Sequence, residues 1–439
     1  MSAIVSKFGG SSLSCARQFK KVRDIVYSDK QRRYIVPSAP GKRFDDDIKV
    51  TDLLYSIHYH RSRGDKIEKL FSQLSQRFTD LRDELGLNCR IEDELNTIYN
   101  NILSGATADY CASRGEYLNG ILLSQYLDYS FIDAKDVLFF DLDGNFEHGK
   151  TKSVMRGYLS SCKNAVIPGF YGSLPDGGIK TFSRGGSDIT GSVVARAARA
   201  SVYENWTDVP GFLMADPRIV PDAKVISKIT YRELRELSYM GATVLHEDSV
   251  FPVFSANIPI HVRNTNDPSG RHTMIVPDIA GNDDENAITG IAGRKNFTVI
   301  NIEKNKMNSE IGFGRKVLSA VEKNDLNFEH MPSGIDTLSV VISDPQTPDK
   351  IQKLLDDIYT ACEPDSVEVT TGLAIIATVG RGMIRNVGIA AKLFGALAQS
   401  GINIRMVDQG SSELNIIVGV ENEDFEKAIR AIYHAFVNP

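Results

Sequence analysis

The sequence predicts an α/β fold: a mostly parallel sheet sandwiched by helices, followed by two small α+β modules. Three observations carry this expectation. Short apolar strands alternate with amphipathic helices over the first part of the chain. A polar, acidic, turn-rich stretch then breaks the pattern. Beyond it, one segment repeats without a gap at a shift of 76 positions, laying Gly312 on Gly388.

Taken in order, the chain opens with a strand at Ala3–Ser6 that runs into Lys7-Phe8-Gly9-Gly10-Ser11-Ser12, with a helix expected to start between Ser12 and Ala16. A second strand, Tyr34–Val36, ends in Pro37-Ser38-Ala39-Pro40-Gly41. From about Leu53 to Ser104 the chain reads as helical, because Leu70, Leu74, Phe78 and Leu81 recur at three- and four-residue steps between charges. Strands at Val137–Phe140 and Ala165–Ile167 and an Ala-rich helix after Ser187 restore the alternation. Pro277 to Asn286 reads as a linker, dividing residues 1–285 from 286–439.

In the repeat, Lys316 falls on Lys392, Ala320 on Ala396, Asn327 on Asn403, Gly334 on Gly410 and Leu338 on Leu414. Each copy reads as a βαββ-like unit led by its own strand, Phe297–Ile302 or Leu373–Val379, placing the modules at about 297–372 and 373–439. Two such units are too few for a solenoid and suit a packed pair.

Composition narrows the function. Of 439 residues, 42% are hydrophobic and 24% charged, as in ordinary globular proteins. The net charge of −6 lacks the footprint of a nucleic-acid binder. No apolar run approaches the roughly 18 residues of a membrane span, and no leader pattern opens the chain. Cys15, Cys89, Cys111, Cys162 and Cys362 are scattered, which predicts free thiols in a cytoplasmic protein and no structural zinc.

Among local motifs, Gly144-Asn-Phe-Glu-His-Gly149-Lys150-Thr151 matches the P-loop expression. Its wrap would hold Phe146, Glu147 and His148 against a polyanion, so a turn leading to a helix is the better reading. Lys7-Phe8-Gly9-Gly10-Ser11 has sounder logic: two glycines let backbone approach a ligand, and Lys7 adds a fixed charge. The same residues also fit a tight turn with a surface lysine. Arg184-Gly185-Gly186-Ser187-Asp188 combines a bidentate donor with a helix start that Ser187 or Asp188 can cap, an anion pocket or an ordinary capped helix. Thr207 and Asp208 stand at a strand-to-loop junction, where α/β sheets present ligand groups. Glu116, in Ser113-Arg-Gly-Glu116, reads as a carboxylate just inside a helix start. No nucleophile–base spacing appears, and phosphoryl transfer, which depends on positioning and cation clamps, fits best.

The ordered set resembles the monofunctional aspartokinases of the amino-acid kinase superfamily. Lys7-Phe-Gly-Gly-Ser-Ser, Ser38-Ala-Pro-Gly, Val50-Thr51-Asp52, Gly115-Glu116, Arg184-Gly-Gly-Ser-Asp188, Trp206-Thr-Asp-Val and Asp216-Pro-Arg218 follow the family order. The C-terminal repeat is similar to paired ACT domains, and Gln409-Gly-Ser-Ser-Glu-Leu-Asn415 resembles the family's closing motif. The resemblance implies ATP-dependent phosphorylation of L-aspartate with Mg²⁺. It implies that Lys7, Gly9, Gly10 and Ser11 handle phosphate, and that Lys7, Arg184 and Asp188 are catalytic. Ser38, Thr51, Glu116, Arg184 and Ser187 would hold aspartate, and Thr207, Asp208, Phe212, Asp216 and Arg218 would line ATP. Departures are Phe212 for a frequent tyrosine, Thr243 for a frequent lysine, and Glu247-Asp248 after His246. Another amino-acid kinase, of the glutamate type, or a silent amino-acid sensor are the rival readings. A homodimer or homotetramer through the ACT domains is expected. The effector is expected to be L-lysine, at Glu329, Ser333 and Asp336 of the first copy, whose ammonium groups would seek carboxylates and a hydroxyl.

Overall fold

The computed structural model describes residues 3–183, 185–242, 245, 247–277, 287–344 and 349–437. They pack as two compact units. The first draws on residues 1–212, 225–231 and 243–279, the second on 213–224, 232–242 and 280–439. No described helix is long and apolar enough to cross a membrane.

The first unit starts with β1 (Ile4–Phe8), whose five residues are all buried, as a central parallel strand requires. Then come α1 (Ala16–Tyr27), β2 (Arg32–Pro37), α2 (Val50–Ser62), α3 (Glu68–Glu84), α4 (Ile91–Leu103) and α5 (Ala108–Leu127). The expected helical stretch is thus three helices, and its periodic residues Leu74, Phe78 and Leu81 are buried in a core with Phe19, Leu54 and Leu118. After β3 (Ser130–Phe131) come α6 (His148–Ser161), β4 (Ala165–Val166), the hairpin β5 (Tyr171–Ser173) and β6 (Ile179–Thr181), α7 (Gly186–Ala198) and β7 (Val202–Thr207). The unit closes with β8 (Lys228–Thr230), which leads into α8 (Tyr231–Tyr239), and with α9 (Glu247–Phe254), β9 (Ile260–Asn264) and β10 (Thr273–Val276). From Arg232 on, α8 belongs to the second unit. The eight-stranded sheet runs β3-β4-β2-β1-β7-β9-β10-β8 and is parallel except between β9 and β10.

Two local expectations change. Val137–Phe140 is not a strand: Phe139 and Phe140 make only isolated bridges. The Phe140 ring instead joins those of Phe146 and Phe182, with centroids 5.5 and 5.0 Å away, so this apolar run fills an aromatic cluster. The P-loop look-alike curls around the chain's own anion. Asp141 Oδ1 accepts the backbone N–H groups of Asp143 (2.9 Å) and Asn145 (2.8 Å), and a helix follows from His148.

The second unit contains β11 (Gly290–Glu303), α10 (Phe313–Lys323), β12 (Thr337–Ser343), α11 (Ile351–Cys362), β13 (Ser366–Val379), α12 (Ile389–Gln399), β14 (Met406–Asp408), β15 (Asn415–Glu421) and α13 (Phe425–Val437). The five-stranded sheet runs β12-β11-β13-β15-β14. The repeat is carried into three dimensions with the same shift: β11 and β13 correspond end to end, as do α10 and α12. Their N-caps, Gly312 and Gly388, share a left-handed backbone at φ 82° and 90°. Each copy gains a closing helix, α11 or α13, that the repeat pattern did not indicate. Residues 213–224 and 232–242 join this unit through hydrogen bonds: Ile291 N–H donates to Met214 O (2.7 Å), and Glu233 Oε1 accepts from Thr289 Oγ1 (2.6 Å). Of the expected linker, residues 278–286 lie outside the described residues.

Candidate active site

Lys7, next to last in β1, is a buried side chain, 8% exposed. Its Nζ stands 2.6 Å from Asp188 Oδ1 and 3.5 Å from Asn205 Oδ1. Asp188 comes from the first turn of α7 and Asn205 from β7, whose register sets it beside Lys7. The N-cap of α7 is Gly185, with φ 57° and no side-chain cap. Neither Ser187 nor Asp188 caps this helix, because the Asp188 carboxylate is engaged by Lys7 and by Asn205 Nδ2 (2.8 Å). Ser187 is buried next to it.

The Gly9-Gly10 turn is pinned at both ends. Gly9 N–H donates to Trp206 O (2.9 Å), and Gly10 O accepts from Leu13 N–H (3.1 Å) and Gly41 N–H (2.8 Å). Ser11 opens a short 3₁₀ turn, Ser11–Leu13, and α1 starts only at Ala16.

Glu116 corrects the sequence reading. It lies in the middle of α5, not at a helix start; the cap is Thr107, whose hydroxyl accepts from Tyr110 N–H (3.1 Å). Gly115 lets α5 approach the chain after β2 so closely that a Cβ there would meet Ala39 Cβ at 2.8 Å. The approach brings the Ala39 N–H to the Glu116 carboxylate. Burial pushes the Glu116 pKa up to about 8, against the lowering pull of that N–H and of the Arg114 and Lys7 charges. Glu116 Oε2 and Asn119 Oδ1 are buried and have no hydrogen-bond partner. Asn119 Nδ2 donates to Ser38 O (2.6 Å), and Ser38 N–H donates to Phe8 O (3.0 Å). Thr51 is half-buried in the first turn of α2.

The fold therefore gathers Lys7, Gly9, Gly10, Ser38, Glu116 and Asp188 around the carboxyl end of β1, where α/β sheets hold ligands. Asn119 and Asn205 join them and had escaped the sequence reading. Asn119 had one available signal, its spacing of three from Glu116, which shares its helix face. Arg184 lies outside the described residues, as do Thr243 and His246.

The expected nucleotide residues divide. Thr207 ends β7, and its hydroxyl reaches Asp208 Oδ1 (3.2 Å). Phe212 is buried at 1% exposure. Asp216 and Arg218 belong to the second unit and pair with each other, Arg218 Nε to Asp216 Oδ1 at 3.0 Å. Also in that unit, Glu329 pairs with Arg294 NH2 (3.1 Å), Asp336 Oδ1 accepts Lys306 N–H (2.9 Å) and Ser333 is exposed. His330, next to Glu329, reaches Asp408 of β14 at 3.1 Å.

The buried lysine–aspartate pair and the glycine turn thus lie at the end of a parallel strand in an α/β sheet, and comparison with known proteins supplies the class. The amino acid kinase family model matches residues 2–264, and an ACT domain model matches 376–436. The chain belongs to the amino acid kinase family. Within it, the chain is similar to aspartokinase 3 of Bacillus subtilis, 36% identical with 98% of both chains covered. Among solved structures it is similar to the aspartate kinase of Clostridium acetobutylicum, at 53% identity and TM-score 0.89, covering 99% and 100% of the two chains. It also matches Escherichia coli aspartokinase III in complex with aspartate and ADP, at 25% identity, TM-score 0.73 and 99% of both chains. The same enzyme with lysine and aspartate, its T-state, gives 0.71 at the same identity and coverage. The protein is an aspartate kinase.

Proposed function

We propose that the chain transfers the γ-phosphoryl group of ATP to the side-chain carboxylate of L-aspartate, giving 4-phospho-L-aspartate on the route to lysine, threonine and methionine. The carboxylate is already ionised at neutral pH, so the protein positions and neutralises instead of deprotonating. Lys7 and the backbone of Gly9, Gly10 and Ser11 steady the transferring oxygens. Arg184 clamps an aspartate carboxylate, Glu116 takes the ammonium group, and Ser38, Thr51, Ser187 and Asp188 fix the remainder. Thr207, Asp208, Asp216 and Arg218 follow the nucleotide. Among the described residues no three His, Cys, Asp or Glu side chains group to hold an ion, and Mg²⁺ in this reading is carried by ATP oxygens. The observation that carries the assignment is the partnerless Oε2 of Glu116, a buried acceptor that a substrate ammonium would satisfy. ADP release should be at least tenfold faster with aspartate than with glutamate; equal rates would overturn the substrate assignment.

Regulation is the second part of the proposal. Residues 1–285 act as the catalytic domain and 286–439 as a regulatory region with tandem ACT domains, 297–372 and 373–439. L-lysine inhibits through Glu329, Ser333 and Asp336, as supported by the E. coli relative that is similar over its length and solved with lysine. The chain acts in the cytoplasm as a homodimer or homotetramer built through the ACT domains. Ile311 and Val387, equivalent in the two copies, are apolar and fully exposed, which supports such an interface. Inhibition assays with lysine, threonine and both test the effector, and inhibition by threonine alone would sink the lysine assignment.

A further inference from the structure

We propose that Arg77, on α3 and outside the substrate pocket, is a positioning residue that holds the Gly9-Gly10 turn in its phosphate-binding geometry by closing the 41–48 loop. Arg77 is 7% exposed. Its guanidinium grips that loop at both ends: NH2 donates to Gly41 O, and NH1 donates to Ile48 O (2.6 Å). NH1 also lies 3.3 Å from Asp47 Oδ2. Asp47 in turn accepts from Arg43, through the backbone N–H (2.9 Å) and both Nε (2.9 Å) and NH2 (3.0 Å).

The loop bears on the site at its first residue. Gly41 N–H donates to Gly10 O, and a Cβ on Gly41 would stand 2.7 Å from Gly10 C. No side chain can buffer this contact, so a shift of Gly41 passes directly to Gly10. At the other end, Ile48 is followed by Lys49 and by the first turn of α2, which carries Thr51. One cation therefore ties the segment touching the glycine turn to the segment holding Thr51.

Burying a guanidinium in this place is costly, and its Nε has no partner. An apolar side chain would fill the space without that cost but could not bridge two carbonyls. Lysine, a point donor on a flexible stem, could not span both in a fixed plane. Misplacement by even about 1 Å can cost on the order of a hundredfold in rate. The inference rests on the assignment of Gly9-Gly10 to phosphate.

The test is Arg77→Lys, assayed well below its melting temperature. We expect kcat to fall about tenfold or more while KM for ATP moves less than about threefold. Arg77→Ala should regain part of its kcat with added guanidinium at millimolar levels. Asp47→Ala, which leaves α3 untouched, should lower kcat in the same direction, and it decides the matter should the Arg77 variants fail to fold. A folded Arg77→Lys or Asp47→Ala with wild-type kcat overturns the proposal. Lys7→Met separates the two readings. If it is inactive while the Arg77 variants are normal, only this inference fails; if it is fully active, the phosphate assignment itself is wrong.

Discussion

Strands β1 and β7 lie side by side and present two buried polar clusters on opposite faces, one residue out of step. On one face Lys7 and Asn205 meet Asp188, with Glu116 and Asn119 nearby. On the other, Ser6 pairs with Glu204 (2.8 Å), and Arg32 binds both Glu204 oxygens (2.8 and 3.0 Å). Trp206 Nε1 adds a donor at 2.9 Å and Arg263 another at 3.3 Å. Burial alone would raise the Glu204 pKa, but Arg32, Trp206 and Ser6 hold it below the usual carboxylate range. The Glu204 carboxylate is closed, since each of its oxygens meets at least two donors, although Arg263 Nε at the margin of the cluster is buried without a partner. The first cluster is open, because Glu116 Oε2 and Asn119 Oδ1 are buried without partners. A buried carboxylate whose oxygens are all met serves architecture here, whereas the partnerless acceptors beside the end of β1 are ones a ligand would satisfy.

This contrast yields a dissociation that mutation can test. The largest effect should come from Glu204→Ala, which leaves buried Arg32 and half-buried Arg263 without their carboxylate. Breaking a buried pair typically costs about 3–5 kcal/mol. The expected outcome is a large fall in the urea midpoint, with the variant that still folds keeping KM for aspartate. A thermally normal Glu204→Ala would erase the distinction. Lys7→Met also breaks a buried pair, with Asp188, but its distinguishing effect should be on turnover, with kcat lowered on the order of a hundredfold or more in protein that is still folded. An effect confined to the aspartate KM would contradict the role given to Lys7.

The open cluster also carries a pH signature. With a pKa raised to about 8, Glu116 is mostly protonated at pH 7 before substrate binds. An aspartate ammonium favours the ionised form, so binding releases a proton and aspartate affinity rises with pH until Glu116 is ionised without help. KM for aspartate should therefore fall by up to about tenfold between pH 6.5 and 8 and flatten above. Glu116→Gln should lose that slope along with much of its affinity. An unchanged slope in the variant would mean another group titrates.

How much of this was legible in the sequence depends on the range of the forces involved. The repeat was readable because strand and helix periodicities are local, and β11 matches β13 and α10 matches α12 at the same shift. Lys7 and Asp188 were readable because each sits beside a glycine-rich turn. The position of Glu116 in α5 was not: Ser113 resembles a cap, but Thr107, six residues earlier, makes the capping bond. The grouping of residues 213–224 and 232–242 with the second unit rests on bonds such as Ile291 N–H to Met214 O, whose partners lie far apart in sequence. Partnerless atoms such as Asn119 Oδ1 exist only once tertiary neighbours are placed.

The smallest effect belongs to the margin of the closed cluster. His261 on β9 is in register with Glu204, and its ring centroid lies 5.3 Å from that of His272. Burial pushes its pKa down to about 4, helped by His272 and Arg263 and opposed by Glu204. An unfolded histidine titrates near 6.5. Between those values the unfolded chain binds a proton that the native ring refuses, so stability falls as pH drops through this window and is fully retained above it. The ring is partly exposed, which limits the effect to about 1 kcal/mol. His261→Gln should therefore reduce the fall in melting temperature between pH 7 and pH 5, by a few degrees, without touching aspartate KM. If the variant follows the wild-type pH curve, His261 is charged in the native state, and the closed cluster tolerates a third cation beside Arg32 and Arg263.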